Sequence, residues 1–200
     1  MLLLLESREL HGEVRSEVIA AVLARYSNEG VKPFRPPRFL LNDLVRYWRT
    51  ICVDFEGKGR SGAGDPKWAT RNAKLRTSRK LLFAGGLVSV LLCHLKDAAD
   101  MPGFLGRWFD AAPADRLAAA FLYAGAVEPG ARALTAYDRW LSLIGDGSVR
   151  AQLREVTFET RDASELFNEI RRIGMDFQAG LDALLFSSTL GRVTRTYAIF

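Results

Sequence analysis

The sequence predicts an all-α fold, a single-domain bundle of many helices over residues 1–200, and three observations carry that expectation. Helical periodicity recurs in nearly every window, while sustained period-two alternation is absent. Prolines and a Gly-Asp-Gly run punctuate the periodic segments. The composition is 48% hydrophobic, 26% charged and 10% aromatic, which excludes disorder, collagen and a disulfide scaffold and permits a core held without metals. We divide the chain into an N-terminal helical segment (1–31), basic helices with a central apolar helix (38–99) and C-terminal helices (103–200).

Met1 to Leu5 is five consecutive apolar residues. Leu2 to Leu5 cannot all face one core from a single helix, which predicts contact on two sides, through a second copy of the chain or a partner. Val14, Val18, Ile19, Val22, Leu23 and Tyr26 form the face of the next helix, and Pro33, Pro36 and Pro37 predict an extended connection after it. From Arg38 a stripe of Leu41, Leu44, Val45, Trp48, Ile51, Cys52 and Phe55 follows helical spacing. Asn42, Arg46 and Arg49 fall on one flank of it, with Asp43, Tyr47, Thr50 and Asp54 on the other.

Gly57 to Pro66 reads as a loop, with Asp65 as the N-cap of a helix that runs from Lys67 through Leu82. Gly85-Gly86 marks a bend or a division. The uncharged run Leu81 to Leu95 is shorter than the ~18–20 apolar residues of a membrane span, so it predicts a helix buried at the centre of the bundle. Further helices are expected over Phe104–Phe109, Ala114–Tyr123, Ala131–Ile144 and Val149–Phe158. The last long helix opens with Asp162 and Glu165 in capping-box spacing and carries Leu166, Ile170, Ile173, Phe177, Leu181 and Leu184 on one stripe, with Gly174 and Gly180 allowing close approach. The tail from Val193 is too apolar to stay free and should dock.

Lys and Arg number 28 against 23 acidic residues, a net charge of +5. The excess lies between Lys32 and Lys80, where 13 basic residues face only Asp43, Asp54, Glu56 and Asp65. Such an asymmetry predicts either an anionic partner (nucleic acid, nucleotide or an acidic protein surface) or a solvated face balanced by the acidic remainder. Cys52 and Cys93, with no basic region ahead of Met1 to Leu5, suggest two free thiols in a reducing cytoplasm.

Two apparent cofactor motifs lie in the wrong setting. Gly57, Gly59 and Gly62 spell G-x-G-x-x-G, but a helix precedes them where the dinucleotide fingerprint needs a strand. Asp54 and Glu56 diverge by about 200° on a helix and cannot share one ion. Cys93 and His94 are neighbours that point apart, so a zinc site is not expected, and His94 in its apolar run reads as a hydrogen-bonded core residue. Trp68, Leu75 and Leu82 define the buried side of the Lys67–Lys80 helix, and Arg71 lies so close to it that it requires either an internal partner, Asp43 or Asp54, or a bound anion.

The runs Phe39 to Phe55 and Lys67 to Leu82 resemble the helical region of bacterial nucleotidyltransferase-like proteins of the polymerase-β superfamily, and Met1 to Ser7 and Arg192 to Phe200 look similar to its two ends. The glycine-serine turn and strand-borne carboxylates of that family's catalytic domain are missing. The resemblance therefore implies a helical substrate-recognition or interaction domain, with magnesium and a nucleotide supplied through a catalytic partner. Asn42, Arg46, Arg49, Arg71, Lys74 and Arg79 are the candidate anion-contacting set. The alternatives are a stand-alone RNA- or DNA-binding module in which Trp48 and Trp68 belong to the core, and a docking scaffold whose Arg and Asp flanks pair internally.

Overall fold

A computed structural model describes residues 1–7, 12–27, 31–60 and 65–198. Among these residues the secondary structure is helical and no strand occurs, so the all-α expectation holds. The principal helices are α1 (Leu2–Glu6), α2 (Gly12–Ser27), α3 (Arg38–Arg60), α4 (Trp68–Arg76), α5 (Ser78–Leu91), α6 (Met101–Asp110), α7 (Pro113–Tyr123), α8 (Val127–Gly145), α9 (Gly147–Glu155), α10 (Glu165–Asp182) and α11 (Gly191–Tyr197).

The apolar run became the centre, as its composition requires. One side of α5 meets α1, α2, α3, α6 and α11 through Leu87, Val90 and Leu91; the other meets α7, α8 and α10 through Leu81, Ala84 and Val88. The stretch Trp68–Leu95 is apolar enough to span a bilayer by composition, yet most of it is buried inside the protein. A third cluster joins Phe55 of α3, Trp68 of α4, Trp140 of α8, Leu153 of α9 and Phe167 of α10.

Gly85 and Gly86 lie inside α5, which runs unbroken past them, so they do not divide it. Their value is proximity: a Cβ on Gly86 would sit 2.3 Å from Leu5 Cδ2, and one on Gly85 3.2 Å from the Pro113 carbonyl. The break falls instead at Thr77, a buried β-branched residue whose hydroxyl donates to the Ala73 carbonyl at 2.7 Å, satisfying a group the helix would otherwise bond through backbone. Trp68 and Leu75 therefore belong to one helix and Leu82 to the next. Close approach at Gly180 is borne out, since a Cβ there would stand 2.5 Å from Ala133 Cβ and 2.8 Å from the Pro129 carbonyl.

Several boundaries move. α3 continues through Gly57 to Arg60 where a loop was expected. Pro33 and Phe34 form a turn rather than an extended link, and α8 begins before Pro129, whose missing N–H is harmless in a first turn. The N-cap of α10 is Ser164, whose Oγ accepts from Phe167 N–H at 3.2 Å; Asp162 lies in the preceding 3₁₀ turn and pairs with Arg171 at 2.8 Å. On α2, Ile19 and Leu23 are buried, but Val14 and Val18 are exposed. Leu4 and Leu5 are covered by the chain's own core. The tail docks as expected through Val193 of α11.

Candidate functional site

α3 presents one side to the core and a continuous opposite side to solvent. Leu40, Leu41, Leu44 and Phe55 are buried, and Trp48 stacks on Phe83 of α5 with ring centroids 5.0 Å apart. At about 100° per residue, Phe39, Asn42, Arg46, Arg49 and Val53 cluster on the far side, and all five are exposed. Arg46 is 81% exposed and reaches Asp43 at 3.8 Å, a contact that water weakens to little net energy. Asp43 also accepts from the Tyr26 hydroxyl at 2.6 Å. Arg49 has no ion-pair partner among the described residues.

The N-terminal end of this face opens into a cleft of about 360 Å³ lined by Tyr26, Lys32, Arg35, Arg38, Phe39 and Asn42, among others. Beside it Phe34 stands 62% exposed with φ 57°, a left-handed conformation that a bulky side chain adopts only when held. Its N–H donates to the Lys96 carbonyl at 2.8 Å, which supplies the hold. Phe39 is 56% exposed. Two aromatic rings thus stand in water among Lys32, Arg35 and Arg38, all outside the candidate set read from sequence.

That set does not form one cluster. Asn42, Arg46 and Arg49 share the outer face of α3, and Lys74 is exposed on α4. Arg71 forms an ion pair with Asp65 through Nη2, so its partner is neither Asp43 nor Asp54, and its buried Nε has no hydrogen-bond partner. Arg79 lies by the hydrogen bond that Tyr47 donates to Glu6 at 2.6 Å; burial together with Glu6 raises the Tyr47 phenol well above its ordinary range, and Arg79 opposes this. Trp68 is buried in the third core cluster, as the binding-module reading expects, whereas Trp48 is half-buried and stacked on Phe83 at the edge of the core.

A second concentration of arginine escaped the sequence reading. Arg15 of α2 bonds Asp110 Oδ1 at 2.7 Å, the Phe109 carbonyl at 2.7 Å and Ser7 Oγ at 3.1 Å. Arg116 of α7 donates to the same Phe109 carbonyl at 2.7 Å and to the Ala111 carbonyl at 2.9 Å. Both cations thereby cap the electron-rich C-terminal end of α6. Burial, with Arg15 adding to it and Asp110 opposing, brings the Arg116 guanidinium down to about 10. The visible signal was a lone arginine beside Leu117 and one turn from Ala120 on an apolar helix.

The carboxylates of α3 do not form a magnesium site. Asp54 pairs with Lys58 at 2.6 Å on the surface of α3, and no group of three metal-ligating side chains occurs among the described residues. Gly57 lies within the helix, and Gly62 of the same motif falls outside the described residues. His94 bonds the Leu91 carbonyl through Nδ1 at 2.8 Å, the structural role expected of it. Comparison of the chain with protein-family models, with curated proteins and with solved structures finds no match, so the reading of its function rests on these side chains.

Proposed function

We propose that the chain is a helical module that binds single-stranded nucleic acid along the outer face of α3 and the turn before it. The observation that carries this reading is the alternation of exposed rings and cations: Phe34 and Phe39 stand among Lys32, Arg35 and Arg38, continuing into Arg46 and Arg49. Cations track a phosphate backbone while aromatic faces accept unstacked bases, and neither feature alone would select a single strand. Asn42 adds a donor and an acceptor within the same stripe. In a nucleotidyltransferase-like system this face would serve as the substrate-recognition half and leave the metal chemistry to a partner.

The test is fluorescence anisotropy with a labelled single-stranded RNA across a salt series. Arg46→Ala and Arg49→Ala should each weaken binding and flatten the slope of log K against log salt by about 0.7 or less. Phe39→Ala should cost about 1–3 kcal/mol on the single strand through lost stacking, with little effect on a duplex. Binding that ignores salt, or that prefers the duplex in every variant, would overturn the reading.

A further inference from the structure

Arg116 is only 3% exposed. Its Nε and Nη2 are fixed on the Ala111 and Phe109 carbonyls, and Nη1 has no hydrogen-bond partner. A guanidinium in that position is costly without an acceptor for its remaining hydrogens. The same side chain lines a cleft of about 780 Å³ between α5, α7, α8 and the N-terminal segment, within the size range of small-molecule sites.

The lining of this cleft is two-sided in chemistry. Leu5, Leu82, Pro113, Tyr137 and Leu141 make an apolar wall. Ser78 adds a hydroxyl whose oxygen already accepts from Trp140 Nε1 at 2.8 Å, leaving its proton to donate. Arg15 also lines the cleft, but each of its three nitrogens is already engaged, on Ser7, Asp110 and the Phe109 carbonyl. Glu6 and Asp110 set two negative charges on the lining against the two arginines. A dianion such as phosphate would meet that pair of carboxylates, whereas one carboxylate asks for little more than Arg116 and a hydroxyl offer.

We infer that this cleft binds a small amphiphile bearing one carboxylate, its head taken by Arg116 as a shift of that side chain brings the buried Nη1 to the cleft, and its apolar body lying along Leu82, Pro113, Tyr137 and Leu141. The site does not depend on nucleic-acid binding at α3. The ligand would supply the acceptor that the fold leaves out, and its apolar body would cover surface that water now reaches.

Isothermal titration of the full chain tests this with octanoate, octanol and inorganic phosphate as probes. Octanoate should bind saturably, octanol at least roughly tenfold more weakly, and phosphate not at all. Arg116→Met keeps the apolar stem and removes the cation, so octanoate affinity should fall roughly tenfold to a hundredfold. Leu141→Glu, at an exposed point of the wall, should weaken both probes through the lost apolar contact and octanoate the more, because only octanoate meets a like charge; it decides the matter alone if Arg116→Met does not fold. No saturable octanoate binding, equal affinity for octanol, or octanoate affinity unchanged in the folded variants would each overturn the inference.

Discussion

Arg46 and Arg116 are both helix-borne cations, and their surroundings could hardly differ more. Arg46 projects into solvent from α3, with a long contact to Asp43 as its ion pair. Arg116 is enclosed, fastened to two backbone carbonyls, and has no carboxylate within ion-pair distance among the described residues. The first keeps its hydration and remains available to a partner that brings phosphates. The second has surrendered hydration for fixed geometry, so it contributes to folding first and to recognition only where its last donor finds an acceptor. The charge of the side chain does not distinguish the two arginines; burial does.

Stability should separate them most sharply. Arg116→Ala removes two charge-assisted bonds and the stem packed near Gly85, and we expect a loss of about 2–4 kcal/mol in urea denaturation. Arg46→Ala and Arg49→Ala should stay within about 0.5 kcal/mol of the parent. Comparable losses at all three positions would erase the contrast. Arg71 lies between these extremes, since its pair with Asp65 is partly covered by the fold. Its removal should cost about 1–2 kcal/mol after allowance for solvent screening, with nucleic-acid affinity nearly unchanged; a collapse of binding in a folded Arg71→Ala protein would return it to the recognition surface.

Lys80 offers the subtlest comparison, because it is a half-buried cation of a different kind. It donates to Gln178 Oε1 at 2.6 Å, and burial followed by the nearby Arg76 lowers its pKa below the ordinary 10.5, while Asp182 and Cys52 pull the other way. In the window between the lowered folded value and 10.5 the unfolded chain holds more protons, so stability should rise with pH across it. Urea midpoints measured upward from pH 8 check this, and Lys80→Met should flatten the rise. An unchanged slope in that variant would show that burial at Lys80 is not what the titration reports.

The open face of α3 was legible in the sequence because its chemistry is periodic: an apolar stripe fixes the inward side, and Asn42, Arg46 and Arg49 then have only one place to go. Exposed rings at Phe34 and Phe39 were not, since a phenylalanine in a sequence reads as core until a backbone turn or a crowded stripe puts it outside. The meeting of Arg15 and Arg116 was hidden for another reason. They lie far apart in the chain and share a backbone carbonyl, and every residue carries one of those. Thr77 and Ser164 show the same limit at helix boundaries, where a single side-chain hydrogen bond outweighs the pattern around it.

The fit of Leu5 against Gly86 also sets a timetable for synthesis. α1 leaves the ribosome before the surface that shelters it exists, because α5 follows by roughly 80 residues, or about 4–16 s of translation. For that interval Leu4 and Leu5, both buried in the finished fold, lack the α5 wall and have only the earlier members of their cluster, on α2 and α3, to lean on. When α5 emerges, the absence of a side chain at Gly86 lets a late docking step proceed without rearranging the helix. The nascent chain therefore closes its N-terminal core from behind, and anything that slows translation between α1 and α5 lengthens the time its most adhesive residues stay uncovered on that side.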